Sequence, residues 1–393
     1  MRYSILTNTL CIAGAGSGKT EKIITESIAE IERGGKVLVV TYTTSNQHEL
    51  RRRFISSFGK HSDSFVVKGL FSFYLEDMVR PYQQALFTQR IDGMFFNEQN
   101  PHLQHGKHYM LRGRQEQLED KSYNPSHFLT KCKTKVHSAF LAKLAARVAK
   151  ATRNATSDRL GEIYSKVYFD EVQDLVGWDY DVLKVLSKEM KSPIICVGDF
   201  RQTVYETTFG HKKPKTAEEK IAAFKSMDFK QDALALNYRS IQAICTVADE
   251  VHKSAYQGSK SAVDSIPFEF AHHVGVFVVK ESDVIDYIAA YDPMVLRWSL
   301  ASGSKILPIT ARCSNFGSSK GLGFNRVLIL PTPKQLNFIL DGVTPFPEKE
   351  EVAQNKMYVA ITRARYSLGF IVSDKKAEGL RIPVWKSSLA GPV

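Results

Sequence analysis

A glycine-rich segment near the N-terminus has residue types and spacing that suit phosphate binding. It reads Ala-Gly-Ala-Gly-Ser-Gly-Lys-Thr over residues 13–20. Glycines let backbone N–H groups turn toward phosphate oxygens, and a helix that starts there adds positive potential. We expect Lys19 to hold the β- and γ-phosphates of a nucleoside triphosphate and Thr20 to ligate Mg²⁺. The rest of the predicted phosphate-binding loop is Gly14, Ala15, Gly16, Ser17 and Gly18, with Ala13 at a position where the strict pattern has glycine.

A pair of acids farther along the chain could complete this chemistry. Asp170 and Glu171 directly follow the apolar run 167–169. An acid at the end of a strand can hold Mg²⁺, and a second acid beside it can orient the attacking water and accept its proton. An isolated Asp-Glu pair is more often a surface turn. Its place downstream of a phosphate loop favours the catalytic interpretation, with Asp170 as metal ligand and Glu171 as base.

The elements that must position these residues follow from the pattern of apolar residues. The apolar run 10–13 and the β-branched run 37–40 predict buried strands, and Ile23, Ile24, Ile28 and Ile31 lie on one helical face between them. Further buried strands are predicted at 167–169 and 194–197, each followed by polar residues. Open parallel sheets bind their ligands at this end of the strands. A second α/β pattern starts near Asn237, with strands expected at 275–279, 294–296, 327–330 and 368–372.

The composition favours a folded protein with an acidic or phosphate-rich partner. The 393 residues carry a formal net charge of +12, and 43% of them are apolar. A basic excess suits nucleic acid. No apolar run reaches the ~18 residues of a membrane helix, so we expect no membrane association. The five cysteines form no C-x-x-C pair, which fits a reducing, cytoplasmic location. Cys11, Cys196 and Cys245 lie in strand-like apolar stretches and are expected to be buried.

The motifs together resemble superfamily 1 helicases of the UvrD/Rep/PcrA group. The resemblance rests on several short segments that occur in the order found in that family. These are residues 13–20 for motif I, 40–43 for motif Ia, 71–73 for motif Ib, 170–174 for motif II, 197–205 for motif III, 236–240 for motif IV, 320–322 for motif V and 358–365 for motif VI.

The resemblance implies an α/β fold with two tandem RecA-like P-loop NTPase lobes. A mainly helical insertion is expected in the first lobe. The implied domains are lobe 1A in two parts, 1–79 and 137–235, an inserted 1B-like subdomain at 80–136, and lobe 2A at 236–393. The implied cofactors are ATP and Mg²⁺.

The resemblance also assigns roles to single residues. Gln202 is expected to sense the γ-phosphate, and Arg239 and Arg363 to act as arginine fingers that neutralise charge on the phosphoryl oxygens. Tyr238 is expected to stack on the base of the nucleotide, and Gly321 of motif V to contact the nucleotide. The residues expected to bind single-stranded DNA are Thr41, Tyr42, Phe71 and Tyr205.

Some positions depart from the family pattern. No adenine-reading glutamine is found before the phosphate loop, and Gly323 and Thr207 stand where the family has glutamate and tryptophan. Arg239 and Lys320 are only 81 positions apart, which leaves no room for the 2B domain of larger relatives. This short form also resembles the helicase-like subunit of the Gabija anti-phage defence system.

The function implied by the resemblance is an ATP-dependent single-stranded-DNA translocase or DNA helicase with 3′ to 5′ direction. The alternative is a nucleotide-controlled DNA-binding sensor or adaptor ATPase that unwinds nothing, for example in an anti-phage defence complex. The expected partners are single-stranded DNA or single/double-strand junctions and a protein partner such as a nuclease. RNA in place of DNA also remains open, since no base-reading element is visible in the sequence.

Overall fold

The chain forms two compact units in a computed structural model that describes residues 7–103, 109–203, 212–252, 256–341 and 351–387. The main division lies between Asp232 and Ala233, but two short segments before it pack with the second unit. The first unit consists of residues 1–12, 19–198 and 205–232, and the second of residues 13–18, 199–204 and 233–393. The phosphate-binding loop and most of motif III therefore pack with the C-terminal part of the chain.

The first unit is built on a mainly parallel β-sheet. The described strands of this unit are β1 (Thr9–Ala13), β2 (Val37–Thr41), β3 (Phe65–Gly69), β4 (Gly93–Phe95), β5 (Lys135–His137), β6 (Lys166–Asp170), β7 (Ile194–Gly198) and β8 (Lys230–Leu234). Strand β1 extends into the second unit by one residue and β8 by two. The central sheet has the order β3-β2-β6-β7-β1-β8, and the five strands from β3 to β1 are parallel. Because these strands are parallel, residues 14, 42, 70, 171 and 199 all follow strands at the same edge of the sheet.

Helices connect these strands, and the first of them is the helix that the spacing of the isoleucines predicts. They are α1 (Lys19–Glu32), α2 (Thr44–Phe58), α3 (Leu70–Phe73), α4 (Pro125–Phe128), α5 (Ser138–Ala151), α6 (Ala155–Ile163), α7 (Trp178–Glu189) and α8 (Ala217–Ser226). Helix α1 starts directly at Lys19 and buries Ile23 and Ile24. Helix α2 begins where the Thr43 side chain accepts a hydrogen bond from the Asn46 N–H, and it ends at Gly59 in the left-handed conformation.

The inserted segment 80–136 contains little helix, in contrast to the expectation of a mainly helical insertion. Its described residues form a 3₁₀ helix at Arg80–Ala85, the four-residue α4 and the short parallel strands β4 and β5, joined by turns. The physical reason is visible in the sequence. Glycine, proline and asparagine recur through the segment, and apolar residues do not repeat at the helical period.

The second unit contains a five-stranded parallel sheet. The described strands of the second unit are β9 (Leu236–Asn237), β10 (Lys260–Ser261), β11 (Gly275–Lys280), β12 (Met294–Arg297), β13 (Cys313–Asn315), β14 (Phe324–Ile329) and β15 (Ala364–Val372). The sheet order is β11-β15-β14-β12-β13, and β9 and β10 form a separate parallel pair. Its helices are α9 (Gln242–His252), α10 (Phe268–Ala271), α11 (Val284–Tyr291), α12 (Pro333–Asp341) and α13 (Glu351–Ile361). Val327, Leu368 and Met357 lie in its core, and Ala15 of the phosphate loop belongs to the same apolar cluster.

The mixed α/β architecture with two parallel sheets confirms the predicted fold class. All five cysteines are free, and Cys11, Cys196 and Cys245 are buried as expected. Cys245, however, lies on helix α9 and not in a strand. Within the described ranges, no helix has the length and apolarity needed to cross a lipid bilayer.

Candidate functional site

Asp170 ends strand β6 as a buried carboxylate. Its side chain is only 8% exposed, and the Thr41 hydroxyl at the end of the adjacent strand β2 donates a hydrogen bond to it at 3.3 Å. Burial and the neighbouring Glu171 charge raise the pKa of Asp170 to about 7, while the Lys19 ammonium opposes the shift. A cation nearby would stabilise the charged form of such a buried carboxylate.

Glu171 is held in a backbone conformation that few residues other than glycine adopt. Its φ is 56° and its ψ 42°, in the left-handed region. The Gln173 side-chain amide donates a hydrogen bond to the Glu171 carboxylate. The fully buried Lys220 ammonium donates to the Gln173 carbonyl at 2.5 Å, which anchors the turn. The direction of the Glu171 carboxylate is therefore fixed by its backbone and by a supporting amide.

The phosphate-binding loop is held by motif IV. The Asn237 amide nitrogen donates to the Ala15 carbonyl at 2.9 Å, and its amide oxygen accepts the Arg239 N–H at 2.8 Å. The Tyr238 N–H donates to the Gly16 carbonyl at 2.9 Å. Gly16 has a φ of +76°, and a Cβ added there would lie 2.7 Å from the Asn237 amide oxygen. The loop therefore needs glycine at this position both for its conformation and for the close approach of motif IV.

A second set of contacts connects the loop with motifs III and VI. The Ala15 N–H donates to the Tyr358 hydroxyl at 3.2 Å, and this hydroxyl donates to Asp199 at 3.0 Å. Asp199 also accepts a hydrogen bond from Arg201 at 3.0 Å, and Arg201 pairs with Asp249 of helix α9 at 3.2 Å. Burial and the Asp199 charge raise the pKa of Tyr358, so its hydroxyl stays protonated and keeps donating. Arg201 is 4% exposed and Asp199 fully buried, so the contact between them is shielded from water, whereas the Asp249 side chain is 21% exposed.

Gln202 and Arg363 lie next to this chain of contacts. The Gln202 amide nitrogen donates to Asp199 at 2.9 Å, and Arg363 approaches the Gln202 amide oxygen at 3.5 Å. Arg363 is 1% exposed and also donates to the carbonyls of Leu322 and Val359, each at 2.9 Å. The structure thus brings together two residues that the family resemblance assigns to the nucleotide, one from motif III and one from motif VI.

The other residues predicted to contact the nucleotide either lie near the phosphate loop or have open space beside them. The Tyr238 ring is 62% exposed, and a Cβ added at Gly18 would lie 3.6 Å from it. Such an exposed ring beside the loop is available for stacking. The Arg239 guanidinium donates to the Thr362 carbonyl at 3.1 Å. A Cβ added at Gly321 would meet no atom within 4 Å, which leaves space for a ligand beside it.

The predicted DNA-binding residues divide into different groups. Tyr42 and Phe71 are half-buried, and their ring centroids are 5.9 Å apart at the carboxyl edge of the first sheet. Thr41 does not join them. Its side chain is 1% exposed and its hydroxyl donates to Asp170, so this side chain supports the acid, and its contact with DNA stays a prediction. Tyr205 lies outside the described residues.

The donor set present fits Mg²⁺. A threonine hydroxyl at position 20 and the Asp170 carboxylate are hard oxygen ligands, and Mg²⁺ is usually held by one or two carboxylates together with phosphates and water. In the described part of the chain, no group of three or more His, Cys, Asp or Glu side chains could hold a metal by itself.

Sequence reasoning assigned no role to Asn237, Tyr358, Arg201 or Asp249. The first three stand inside the quoted motifs IV, VI and III, beside residues that did receive roles. The signal that could have identified these three residues is a polar or aromatic side chain that lies inside a motif and has no assigned role. Asp249 lies outside every motif and carries no such signal.

Comparisons with known proteins agree with the helicase resemblance in the N-terminal part of the chain. Residues 2–140 match the family model of the UvrD/REP helicase N-terminal domain, which confirms the resemblance there. Two solved structures are similar. The PRRSV helicase is 15% identical, with a TM-score of 0.44 over 97% of this chain and 56% of that chain. Arterivirus nonstructural protein 10 (helicase), in a complex with DNA, is 13% identical, with a TM-score of 0.45 over 95% of this chain and 63% of that chain. The chain thus spans less than two thirds of either protein. Curated proteins give no match to the sequence.

Proposed function

We propose, from the UvrD/REP match of residues 2–140 and the geometry of the motif residues, that this protein is an ATP-dependent single-stranded-DNA translocase and helicase. The observation that carries the proposal is the binding of the phosphate loop by distant motifs. Asn237 of motif IV and Tyr358 of motif VI both bind the backbone of Ala15. A change in the loop on nucleotide binding would therefore be transmitted to both motifs, and such coupling is what a nucleotide-driven motor needs.

In the proposed reaction, Lys19 holds the β- and γ-phosphates, and Thr20 and Asp170 hold Mg²⁺. The metal would neutralise phosphate charge and keep Asp170 ionised despite its burial. Glu171 orients the attacking water and accepts its proton. The fixed backbone and the Gln173 amide keep the Glu171 carboxylate in one direction, which reduces the reorganisation needed during reaction.

Gln202, Arg239 and Arg363 are proposed to respond to the γ-phosphate. Guanidinium groups can neutralise charge that develops on the transferred phosphoryl oxygens. Gln202 contacts both Asp199 and Arg363, so a shift of this amide toward a phosphate would change two contacts at once. Tyr238 is proposed to stack on the base of the nucleotide, and Gly321 to leave room for it.

Single-stranded DNA is proposed to bind on Tyr42, Phe71 and Tyr205, with movement in the 3′ to 5′ direction. Aromatic rings stack on any base, so this binding is expected to be independent of sequence. The proposed domains are lobe 1A at 1–79 and 137–235, the inserted subdomain at 80–136 and lobe 2A at 236–393. The net charge of +12 supports a partner rich in phosphate.

A second candidate is a nucleotide-controlled sensor or adaptor that binds DNA without separating strands. The short interval of 81 positions between Arg239 and Lys320 favours it, because no 2B domain fits there. Thr207, where relatives have tryptophan, also removes one stacking residue. A strand-displacement assay separates the two candidates, since an adaptor hydrolyses ATP without releasing a strand.

The proposal is tested by ATP hydrolysis with and without single-stranded DNA. We expect stimulation by DNA in the wild-type protein and loss of hydrolysis in Lys19→Ala, because the phosphates lose their main positive charge. Lys22→Ala is the matched control. It removes the same charge from the same helix, where Lys22 pairs with Glu26 at 2.6 Å. Hydrolysis that is unaffected by DNA, or equal in Lys19→Ala and Lys22→Ala, would contradict the proposal.

A further inference from the structure

An aromatic ring from the inserted segment extends the pair formed by Tyr42 and Phe71. The Phe71 and Phe96 ring centroids are 5.8 Å apart, and the rings meet at 83° in an edge contact. Tyr42, Phe71 and Phe96 thus form a continuous series within the first unit, which we call the aromatic row. Tyr42 and Phe71 belong to motif segments, whereas Phe96 lies in the insertion and matches no motif.

Phe96 is the most exposed member of the aromatic row. Its side chain is 67% exposed, while Tyr42 and Phe71 are half-buried. A single exposed phenylalanine is ordinary on a protein surface. This one, however, contacts a ring already assigned to nucleic acid, and it offers most of its area to a flat ligand. Covering that area would remove apolar surface from water, a favourable contribution to binding.

The backbone on both sides of Phe96 is fixed. Before it, strand β4 pairs with β5, with Phe95 opposite His137. After it, the Asn97 N–H donates to the Ser138 hydroxyl at 3.1 Å, and the Asn97 side chain contacts His137 at 3.1 Å. A ring held in this way loses little conformational freedom when a ligand binds, and such preorganisation favours affinity.

Positive charge precedes the strand that pairs with β4. Lys131, Lys133 and Lys135 are exposed within five residues, in the turn that leads into β5 and at the start of that strand. Strand β5 is the partner of β4, with Lys135 opposite Gly93. Exposed lysines on the strand that pairs with β4 suit a chain of bases joined by phosphates, because a ring stacks on a base while ammonium groups attract the backbone.

We propose that Phe96 stacks on a base of single-stranded nucleic acid as the outer member of the aromatic row, with Lys131, Lys133 and Lys135 attracting the phosphates. This rests on the proposed function and adds the inserted segment to the path of the strand. The contact is independent of base identity, since every base has a stacking face. A protein partner covering Phe96 is the alternative occupant.

The test compares Phe96→Ala with Phe95→Ala in binding of a fluorescent single-stranded oligonucleotide. Phe95 is the matched control, since it is adjacent and 50% exposed, and its ring meets the His137 ring at 6.2 Å. Stacking contributes about 1–3 kcal/mol per base, so Phe96→Ala is expected to weaken binding roughly 5- to 140-fold. Phe95→Ala should stay within about twofold of wild type. An oligonucleotide of abasic units is the second arm, and on it wild type and Phe96→Ala should bind alike.

The outcomes separate this inference from the proposed function. Absence of any single-strand binding by the wild-type protein would contradict the proposed function itself. If the wild type binds and Phe96→Ala binds equally well, the inference is wrong, and a protein partner becomes the better occupant. If the defect of Phe96→Ala persists on the abasic oligonucleotide, base stacking is excluded. Replacing the three lysines by glutamine should make the slope of log affinity against log salt less steep, by up to about 0.7 for each phosphate that these lysines neutralise. An unchanged slope would remove the lysines from the proposal.

Discussion

At the scale of single residues, the backbone conformation of Glu171 is the feature most closely tied to chemistry. A left-handed φ costs free energy in a residue with a Cβ, and such conformations cluster at active sites. The contacts of Gln173 and Lys220 maintain this conformation. The cost is understandable if the direction of the Glu171 carboxylate matters for activating water.

Glu171→Gln tests this role. The substitution keeps the size of the side chain and removes its ability to accept a proton, so hydrolysis should fall by about 10²- to 10⁴-fold while nucleotide binding is retained. Phosphate release and binding of a fluorescent ATP analogue measure the two effects. Glu21→Gln removes the charge of an exposed acid in the first turn of α1 and should leave both unchanged. Hydrolysis by Glu171→Gln within a few-fold of wild type would remove Glu171 from the mechanism.

Roles for Lys19, Asp170 and Glu171 could be proposed from the sequence because each belongs to a short local pattern, and these roles stay predictions. The sequence could not predict that Asn237 and Tyr358 bind Ala15, since these contacts join residues 222 and 343 positions apart. Such pairs depend on how strands and helices pack. For the same reason, the sequence could not predict the hydrogen bond from the Thr41 hydroxyl to Asp170, which follows from the adjacency of β2 and β6.

At the scale of elements, helix α9 and helix α13 are connected to the phosphate loop through one chain of contacts. Asp249 on α9 pairs with Arg201, Arg201 with Asp199, and Asp199 with Tyr358 on α13, which binds the Ala15 N–H. A buried ion pair is sensitive to the loss of either partner. A change on α9 should therefore reach the loop through the Tyr358 hydroxyl.

A double-mutant cycle with Asp249→Asn and Tyr358→Phe tests this coupling. Asp249→Asn weakens the hold on Arg201 and is expected to reduce nucleotide affinity several-fold. In the Tyr358→Phe background the same change should have little further effect, because the hydroxyl that connects it to the loop is gone. Titration with a fluorescent ATP analogue gives the four affinities, and thermal unfolding checks that the variants fold. Additive effects would show that Asp249 acts only on general stability.

The elements themselves were predictable to different degrees. The buried parallel strands were found because continuous apolar runs such as 37–40 and 194–197 mark them in the sequence. The insertion was not. Its short strands β4 and β5 have only three residues each, and the segment is held by side-chain contacts such as those of Asn97. A strand of three residues is too short to show a recognisable alternation of apolar and polar side chains.

At the scale of the whole molecule, the question is whether hydrolysis moves the protein along a strand. The net charge of +12 would give salt-sensitive binding to any nucleic acid, whether or not movement occurs. Stimulated hydrolysis is likewise expected of both a motor and an adaptor. The short interval between motifs IV and V bears on strand separation and not on movement along a single strand. Directed movement is therefore the property that distinguishes the proposed motor.

The most direct measurement is displacement of streptavidin from biotin at one end of a single-stranded oligonucleotide. A 3′ to 5′ translocase moves toward the 5′ end, so we predict ATP-dependent release of streptavidin from 5′-biotin and none above background from 3′-biotin. Lys19→Ala should release neither. Release from 3′-biotin alone would contradict the proposed direction. No release from either end, with DNA-stimulated hydrolysis intact, would contradict the motor and favour the adaptor.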